Sequence, residues 1–171
     1  PNAVKDLLET ITETALKVIS FQEAFTGVVP TGIGMDDDYG GLYSPELYEE
    51  FNYPYMKRMY EHRDYRDRSL HTETFGRDHL QYIPRLGVTH YDAWPYHGLT
   101  MEEVLAELPE TFFSWNIATV KDLYTLTPGT IKREYSRLVE QGAPGIVMNL
   151  CARRVPTENI KAFVDVARSF D

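Results

Sequence analysis

Apolar and polar positions follow two different periods along this chain. In residues 4–25 apolar side chains recur every three or four positions, which predicts one face of a helix. Beyond this helix, short apolar-rich runs alternate with segments of helical spacing. The runs that we predict as strands are 28–38, 68–73, 88–94, 111–117 and 145–151. The predicted helices are 44–62 with a kink near Pro54, 78–86, 100–108, 128–140 and 157–170.

Local signals support several of these boundaries. Ser44 precedes Pro45, which suits a helix N-cap followed by the first helical position. Thr100 and Glu103 have the spacing of a capping box, and Gly87 and Gly142 follow predicted helix ends.

Strands that alternate with helices are typical of βαβ units and a parallel sheet. Polar residues gather where the apolar strands end, which favours a barrel with its site at that rim, and no glycine-rich nucleotide-binding motif is present. A complete eightfold barrel takes about 250 residues, whereas this chain supplies five strands. We therefore expect an α/β fold made of the C-terminal five βα units of a (β/α)8 TIM-type barrel, as a single domain over residues 1–171. An open five-stranded sheet is the alternative.

Charge and composition exclude several classes of partner. The 171 residues are 43% hydrophobic, enough for one core, and they carry 17 basic against 26 acidic side chains, a net charge of -9. The longest basic run is Arg153-Arg154, so we expect no nucleic-acid partner. No apolar run approaches the ~20 residues of a membrane span. The absence of a secretory signal and a lone cysteine, Cys151, fit a cytoplasmic protein.

Three side chains at predicted strand ends have the chemistry of zinc ligands. His71 and Glu73 lie two residues apart and therefore share one face of a strand. Cys151 ends the fifth strand and would project into the same rim. Three protein ligands with a fourth position open are the arrangement of a catalytic zinc site. The structural alternative is that Cys151 is a small buried hydrophobe.

Other polar residues at the strand ends are further candidates. His90 and Asp92 repeat the spacing of two, either as a ligand or acid/base pair or as a histidine that Asp92 orients without a catalytic task. In the acidic run 36–38 the three charges are costly to bury together, so at least one should face solvent while another binds a cation, a donor or the substrate. The alternative for this run is an acidic cluster ahead of the helix that begins near Ser44. The pocket-lining candidates are Tyr39, Trp94 and Asn116.

Several motifs together resemble the uroporphyrinogen decarboxylase superfamily, which includes zinc-dependent methyltransferases that act on methyl-corrinoid proteins. The resemblance covers nearly the whole chain, in register with the C-terminal part of the family's barrel. It rests on Asp36-Asp37-x-x-Gly40, Ser44-Pro45-Glu46-Leu47-Tyr48, Pro54-Tyr55-x-Lys57-Arg58, His71-x-Glu73-x-x-Gly76, Gly87-Val88, and Cys151 followed by Pro156-Thr-Glu-Asn159-Ile-Lys-Ala162.

The methyltransferase branch implies a metal and a corrinoid partner. Its zinc ligands are a His-x-Cys pair and a cysteine on the last strand, which His71 and Cys151 match, while Glu73 stands where the middle cysteine would be. A carboxylate can replace a thiolate at zinc but favours a harder or more weakly bound metal. In the family's logic, zinc activates an acceptor thiol that attacks the methyl group of a methylcobalamin carried by a partner protein. With one thiolate ligand fewer, the metal would suit a methyl acceptor other than the family's thiol.

The resemblance leaves two other functions open. A metal-free lyase of the decarboxylase type would use Asp36 or Asp37 to orient its substrate, but the segment Asn149-Leu150 is not followed by that branch's Gly-His pair. A corrinoid-protein docking or assembly module would bind a partner without catalysis. For the preferred methyltransferase we expect Asp36, Asp37 and Asp92 to act in catalysis. Two half-barrels could also associate into a homo-oligomer through their open sheet edges.

Overall fold

The computed structural model describes residues 2–94, 98–117, 125–148 and 155–170, in which helices and parallel strands alternate. The helices are α1 Asn2–Thr26, α2 Pro45–Phe51, α3 Tyr53–Glu61, α4 Tyr82–Arg85, α5 Met101–Glu107, α6 Pro128–Glu140 and α7 Thr157–Ala167. The strands are β1 Gly32–Asp36, β2 Asp67–His71, β3 His90–Ala93, β4 Phe112–Asn116 and β5 Gly145–Val147. Short 3-10 turns cover Gly40–Leu42 and Arg77–His79.

The five strands form one parallel sheet in the order β1-β2-β3-β4-β5. Each strand therefore lies beside its successor, as in the wall of a barrel, whereas a doubly wound sheet reverses its strand order at a switch point. This topology confirms the predicted α/β fold, a partial (β/α)8 barrel.

The two faces of the sheet have opposite characters because successive side chains alternate. Leu70, Tyr91, Phe113 and Trp115 are buried and belong to the hydrophobic core under the helices. The opposite, concave face carries polar and small side chains, among them Ser69, His71, Asp92, Ser114 and Asn116. Stability and candidate chemistry are thus on different sides of the same strands.

Several predicted boundaries differ from the structure. Strand β1 begins at Gly32 and not near Val28, since Pro30 has no N–H to donate to a ladder. Strand β2 ends at His71, so Glu73 follows the strand. The predicted helix 78–86 is a 3-10 turn followed by the four-residue α4, because Pro84 cannot donate to a preceding helical turn.

The two predicted helix caps, Ser44 and Thr100, are confirmed. The Leu47 backbone N–H donates to the Ser44 hydroxyl at the start of α2. The Thr100 and Glu103 side chains form the reciprocal capping box of α5. The segment predicted as one kinked helix is divided at Asn52, and Pro54 lies in the first turn of α3.

Helix α1 presents its charged side to its own chain and an apolar side to the surface. The Arg58 guanidinium pairs with Glu9 and Glu13, and Lys5 pairs with Glu50. The exposed apolar residues of this helix are Val4, Leu7, Ile11, Val18, Phe21 and Phe25. No helix in the described ranges is long and apolar enough to span a membrane.

Candidate functional site

A polar layer crosses the concave face where the first four strands end. Parallel pairing places His71 of β2 opposite Asp36 of β1 on one side and opposite Asp92 of β3 on the other. Asn116 lies two residues beyond Ser114, the β4 partner of Asp92. The register therefore brings four polar side chains from four neighbouring strands to one rim.

Asp92 holds His71 through a short contact of 2.7 Å between its Oδ2 and the imidazole Nδ1. The other Asp92 oxygen accepts a hydrogen bond of 2.8 Å from Asn116 Nδ2. Because an ionised carboxylate only accepts hydrogen bonds, Nδ1 carries the proton. In the neutral ring Nε2 is then left with its lone pair, the state in which histidine binds a metal or accepts a proton.

Two more carboxylates lie on the Nε2 side of His71. Asp38 Oδ1 is 3.3 Å from Nε2, and Glu73 Oε1 is 3.9 Å from it. The Asp38 oxygen is buried and has no hydrogen-bond partner in the described chain, although the whole side chain is 44% exposed. An imidazole lone pair and a carboxylate oxygen repel each other at this distance unless a proton or a cation lies between them.

The layer lines a cavity of about 460 Å³ on the concave face. Asp36, His71, His90, Asp92 and Asn116 are among its lining residues, and none of the lining residues that the structure describes is a lysine or an arginine. The Trp94 ring stands edge-on to the His71 ring with their centroids 6.2 Å apart. Trp94 is buried, and its indole N–H has no described hydrogen-bond partner. The described part of the cavity therefore carries carboxylates and no basic Lys or Arg side chain, and the Trp94 ring packs against His71.

Asp37 faces a different groove from its two acidic neighbours. Its Oδ2 accepts a hydrogen bond of 2.8 Å from Asn52 Nδ2, and its backbone N–H donates to the His71 carbonyl. Burial raises the pKa of the Asp37 carboxyl above its usual range, and the Tyr48 hydroxyl, the Gly40 backbone and the Asn52 amide only partly offset this effect. The groove, about 530 Å³ in volume, is also lined by Tyr39 and by apolar residues of α1 and α2.

The structure thus brings some of the predicted site residues together and separates others. Those at the His71 cavity or beside His71 are Asp36, Glu73, Asp92, Trp94 and Asn116, whereas Asp37 and the largely exposed Tyr39 lie in the neighbouring groove. Cys151 lies outside the described residues, so its predicted role as a ligand stays a prediction.

Two contacts of the site were not predicted from the sequence. Asp92 binds His71 of the adjacent strand, while the His90 ring packs against Phe112 with centroids 4.8 Å apart. Asp38, not Asp37, approaches the His71 ring. Spacing along one strand does not show which side chains a parallel register places opposite each other.

Among the described residues no group of three or more histidine, cysteine, aspartate or glutamate side chains is arranged to hold a metal ion. On the Nε2 side of His71, Asp38 Oδ1 lies 3.3 Å from the ring nitrogen. Glu73 Oε1, 3.9 Å from His71 Nε2, is a second carboxylate oxygen on that side of the ring.

A parallel wall of βα units with polar residues at the carboxyl ends of its strands is the architecture of barrel enzymes. The uroporphyrinogen decarboxylase family model matches residues 1–170, and this chain belongs to that family. No curated protein matches the chain significantly.

A similar fold is present in the solved structure of a methyltransferase from Methanosarcina mazei. The two share 16% sequence identity with a TM-score of 0.71. The match covers 93% of this chain and 47% of the other, so the chain spans about half the length of that protein. At this identity the match shows the fold, and it is consistent with a partial barrel.

Proposed function

We propose that this chain contributes the metal-binding half of an enzyme that transfers a methyl group between a methyl-corrinoid protein and a small nucleophile. The observation that carries the proposal is the orientation of His71, whose Nδ1 is held by Asp92 while Nε2 faces Asp38 and Glu73. Family membership and the likeness to a methyltransferase fold support it.

The acidity of the cavity favours methyl transfer over the decarboxylase alternative. A tetrapyrrole that bears carboxylates would meet Asp36, Asp38, Glu73 and Asp92 at the described part of the rim, and like charges repel. Carboxylates beside an oriented imidazole instead suit a bound cation.

The proposed residues would act as ligands and as positioning groups. A bound zinc ion would supply Lewis acidity that lowers the pKa of an acceptor X–H, and His71, Glu73 and Cys151 are its predicted ligands. Asp92 and Asn116 fix the imidazole, and Trp94 packs edge-on against it. In the transfer itself X–H loses its proton to solvent, and a carbon–X bond forms. The cobalt–carbon bond breaks, and its electron pair stays on cobalt.

The test uses free methylcobalamin as the methyl donor and a panel of thiol and non-thiol nucleophiles. We expect zinc-dependent loss of the cobalt-bound methyl group, which is measured by the change in absorbance of methylcobalamin. We expect the rate of this loss to fall at least a hundredfold in His71→Ala. The metal content of wild type, His71→Ala and Cys151→Ala is measured in the same preparations.

Other outcomes would contradict the proposal. Decarboxylation of a tetrapyrrole that survives chelation would indicate the lyase. Tight capture of a corrinoid protein by folded, metal-free protein without turnover would indicate a docking module.

A further inference from the structure

We propose that Asp37 is a positioning residue for the His71 site, which holds the turn after β1 so that the two neighbouring carboxylates face His71. The inference rests on the proposed function, because it concerns the same cavity. The contacts that carry it are hydrogen bonds and packing within the described chain.

The three acidic residues of this turn lie on different sides of the chain. Asp36 ends β1, pairs in register with His71 and lines the cavity. Asp38 Oδ1 lies 3.3 Å from His71 Nε2. Asp37, between them, lines the neighbouring groove instead. Since successive side chains of an extended chain point to opposite sides, the direction of Asp37 sets the directions of both neighbours.

The Asp37 carboxylate is held by α2 and by the residue between α2 and α3. Its Oδ2 accepts a hydrogen bond of 2.8 Å from Nδ2 of Asn52, which joins the two helices. A Cβ at Gly40 would overlap this oxygen and would lie 2.7 Å from the Tyr48 ring, so glycine lets the turn fold closely around the carboxylate. Tyr48 is fully buried. Asp37 is therefore fixed against helices that the core holds in place.

The backbone of Asp37 is joined to His71 itself. Its N–H donates a hydrogen bond of 2.9 Å to the His71 carbonyl, one residue beyond the last register pair of β1 and β2. Asp37 thus connects the end of β2, through its backbone, with the junction of α2 and α3, through its side chain. Loss of the side-chain contact should therefore move the carboxylates that lie next to His71.

The experiment follows the His71 ring as well as the reaction rate. The ring signals are observed in ¹H–¹³C correlation spectra at one fixed pH and are assigned by their loss in His71→Asn. In Asp37→Ala we expect these signals to shift. We also expect the rate of methyl loss from methylcobalamin to fall at least about tenfold, because displaced groups no longer have the reactive geometry. Asp37→Asn keeps a side-chain oxygen that can accept from Asn52, and it should retain most of the rate and the wild-type ring signals.

Two further variants separate positioning from general destabilisation. Asn52→Ala deletes the same hydrogen bond from the other partner and should shift the His71 signals in the same direction, so it provides the test if Asp37→Ala does not fold. Thr100→Ala is the matched control, because it removes a side-chain hydrogen bond at the start of α5 and should leave the His71 signals unchanged.

Two outcomes are decisive. Folded Asp37→Ala and Asn52→Ala proteins with the His71 signals and the rate of the wild type would overturn this inference and leave Asp37 a structural role only. If the wild type transfers no methyl group to any nucleophile, but the His71 signals still shift in both variants, the proposed function fails and the arrangement of the site by Asp37 stands.

Discussion

At the scale of single residues, the site depends on one carboxylate with two partners. One Asp92 oxygen contacts His71 and the other accepts a hydrogen bond from Asn116. The carboxylate therefore cannot rotate without losing a contact. Asn116 is almost fully buried, and its Nδ2 also lies 3.3 Å from the Ala93 carbonyl. The orientation of the imidazole is therefore set by strands β3 and β4 as well as by its own strand.

Asp92→Asn should reverse the tautomer of His71. The new amide can donate to Nδ1, which would move the ring proton to Nε2. At about pH 9, where ordinary imidazoles are neutral, ¹⁵N–¹H correlation spectra of histidine-labelled protein distinguish the two tautomers. We expect the Nδ1–H form in the wild type and the Nε2–H form in the variant.

Asn116→Ala is the comparison for this experiment, since it leaves the Asp92 carboxylate in place. It should retain the Nδ1–H form with broader signals. An unchanged tautomer in Asp92→Asn would show that Asp92 does not set the protonation of the ring.

The acidic run also yields a prediction for the pH dependence of stability. Burial raises the pKa of Asp37 in the folded protein above the unfolded value near 3.8. The folded state therefore binds more protons in this range, so the contribution of Asp37 to stability falls as the pH rises from about 4 through its raised pKa.

Chemical denaturation of wild type and Asp37→Asn at pH 4 and pH 7 tests this sign. We expect the wild type to lose stability relative to Asp37→Asn between the two pH values. If the difference in unfolding free energy between wild type and Asp37→Asn were the same at both pH values, the raised pKa of Asp37 would be contradicted. Asp67→Asn, which removes an exposed carboxylate at the start of β2, controls for the change of net charge.

At the scale of elements, the helix starts were the part of the fold most open to prediction. Ser44 and Thr100 are hydroxyl residues at the correct spacing, and their bonds form within four residues of sequence. Strand ends were harder to predict, because Glu73 continues the spacing of His71 although the ladder stops at His71. A strand ends where its neighbours stop pairing, and this information is not local.

The same reasoning explains what the sequence could show of the site. Polar residues at strand ends identified His71, Asp92 and Asn116 as candidates, because parallel strands bring their carboxyl ends to one edge. The partner of Asp92 depends on the register between strands, and the opposite directions of Asp37 and Asp38 depend on the turn after β1. Adjacent identical residues carry no sequence signal that separates them.

Removal of the α5 capping box should have a measurable cost. Thr100→Ala deletes the hydroxyl that accepts the Glu103 N–H and should lower the free energy of unfolding by about 1 kcal/mol. Thr100→Ser keeps the hydroxyl and should stay close to the wild type. Equal losses in both variants, measured by urea denaturation, would show that the methyl group of Thr100 and not the cap is responsible.

At the scale of the whole molecule, the core formed by the described residues lies on one side of the sheet. Phe113 is 1% exposed and packs in the core, whereas its neighbour Phe112 is 42% exposed. We expect Phe113→Ala to cost about 3–5 kcal/mol of unfolding free energy. Phe112→Ala, one residue away on the same strand, should cost less than 1 kcal/mol.

Similar costs for these two substitutions would mean that the concave face is also covered in solution. Denaturation at several protein concentrations would then reveal whether a second copy covers it, because the stability of an associated form depends on concentration.

The alternation along β2, β3 and β4 has a consequence for how such a protein can change. Successive positions of one strand are under different constraints. Leu70 and Tyr91 are buried in the core and stabilise the fold, while His71 and Asp92 face the cavity. Substitutions that alter the reaction can therefore accumulate at every second residue without disturbing the packing on the other side. A new specificity on this sheet could arise from single replacements on adjacent strands.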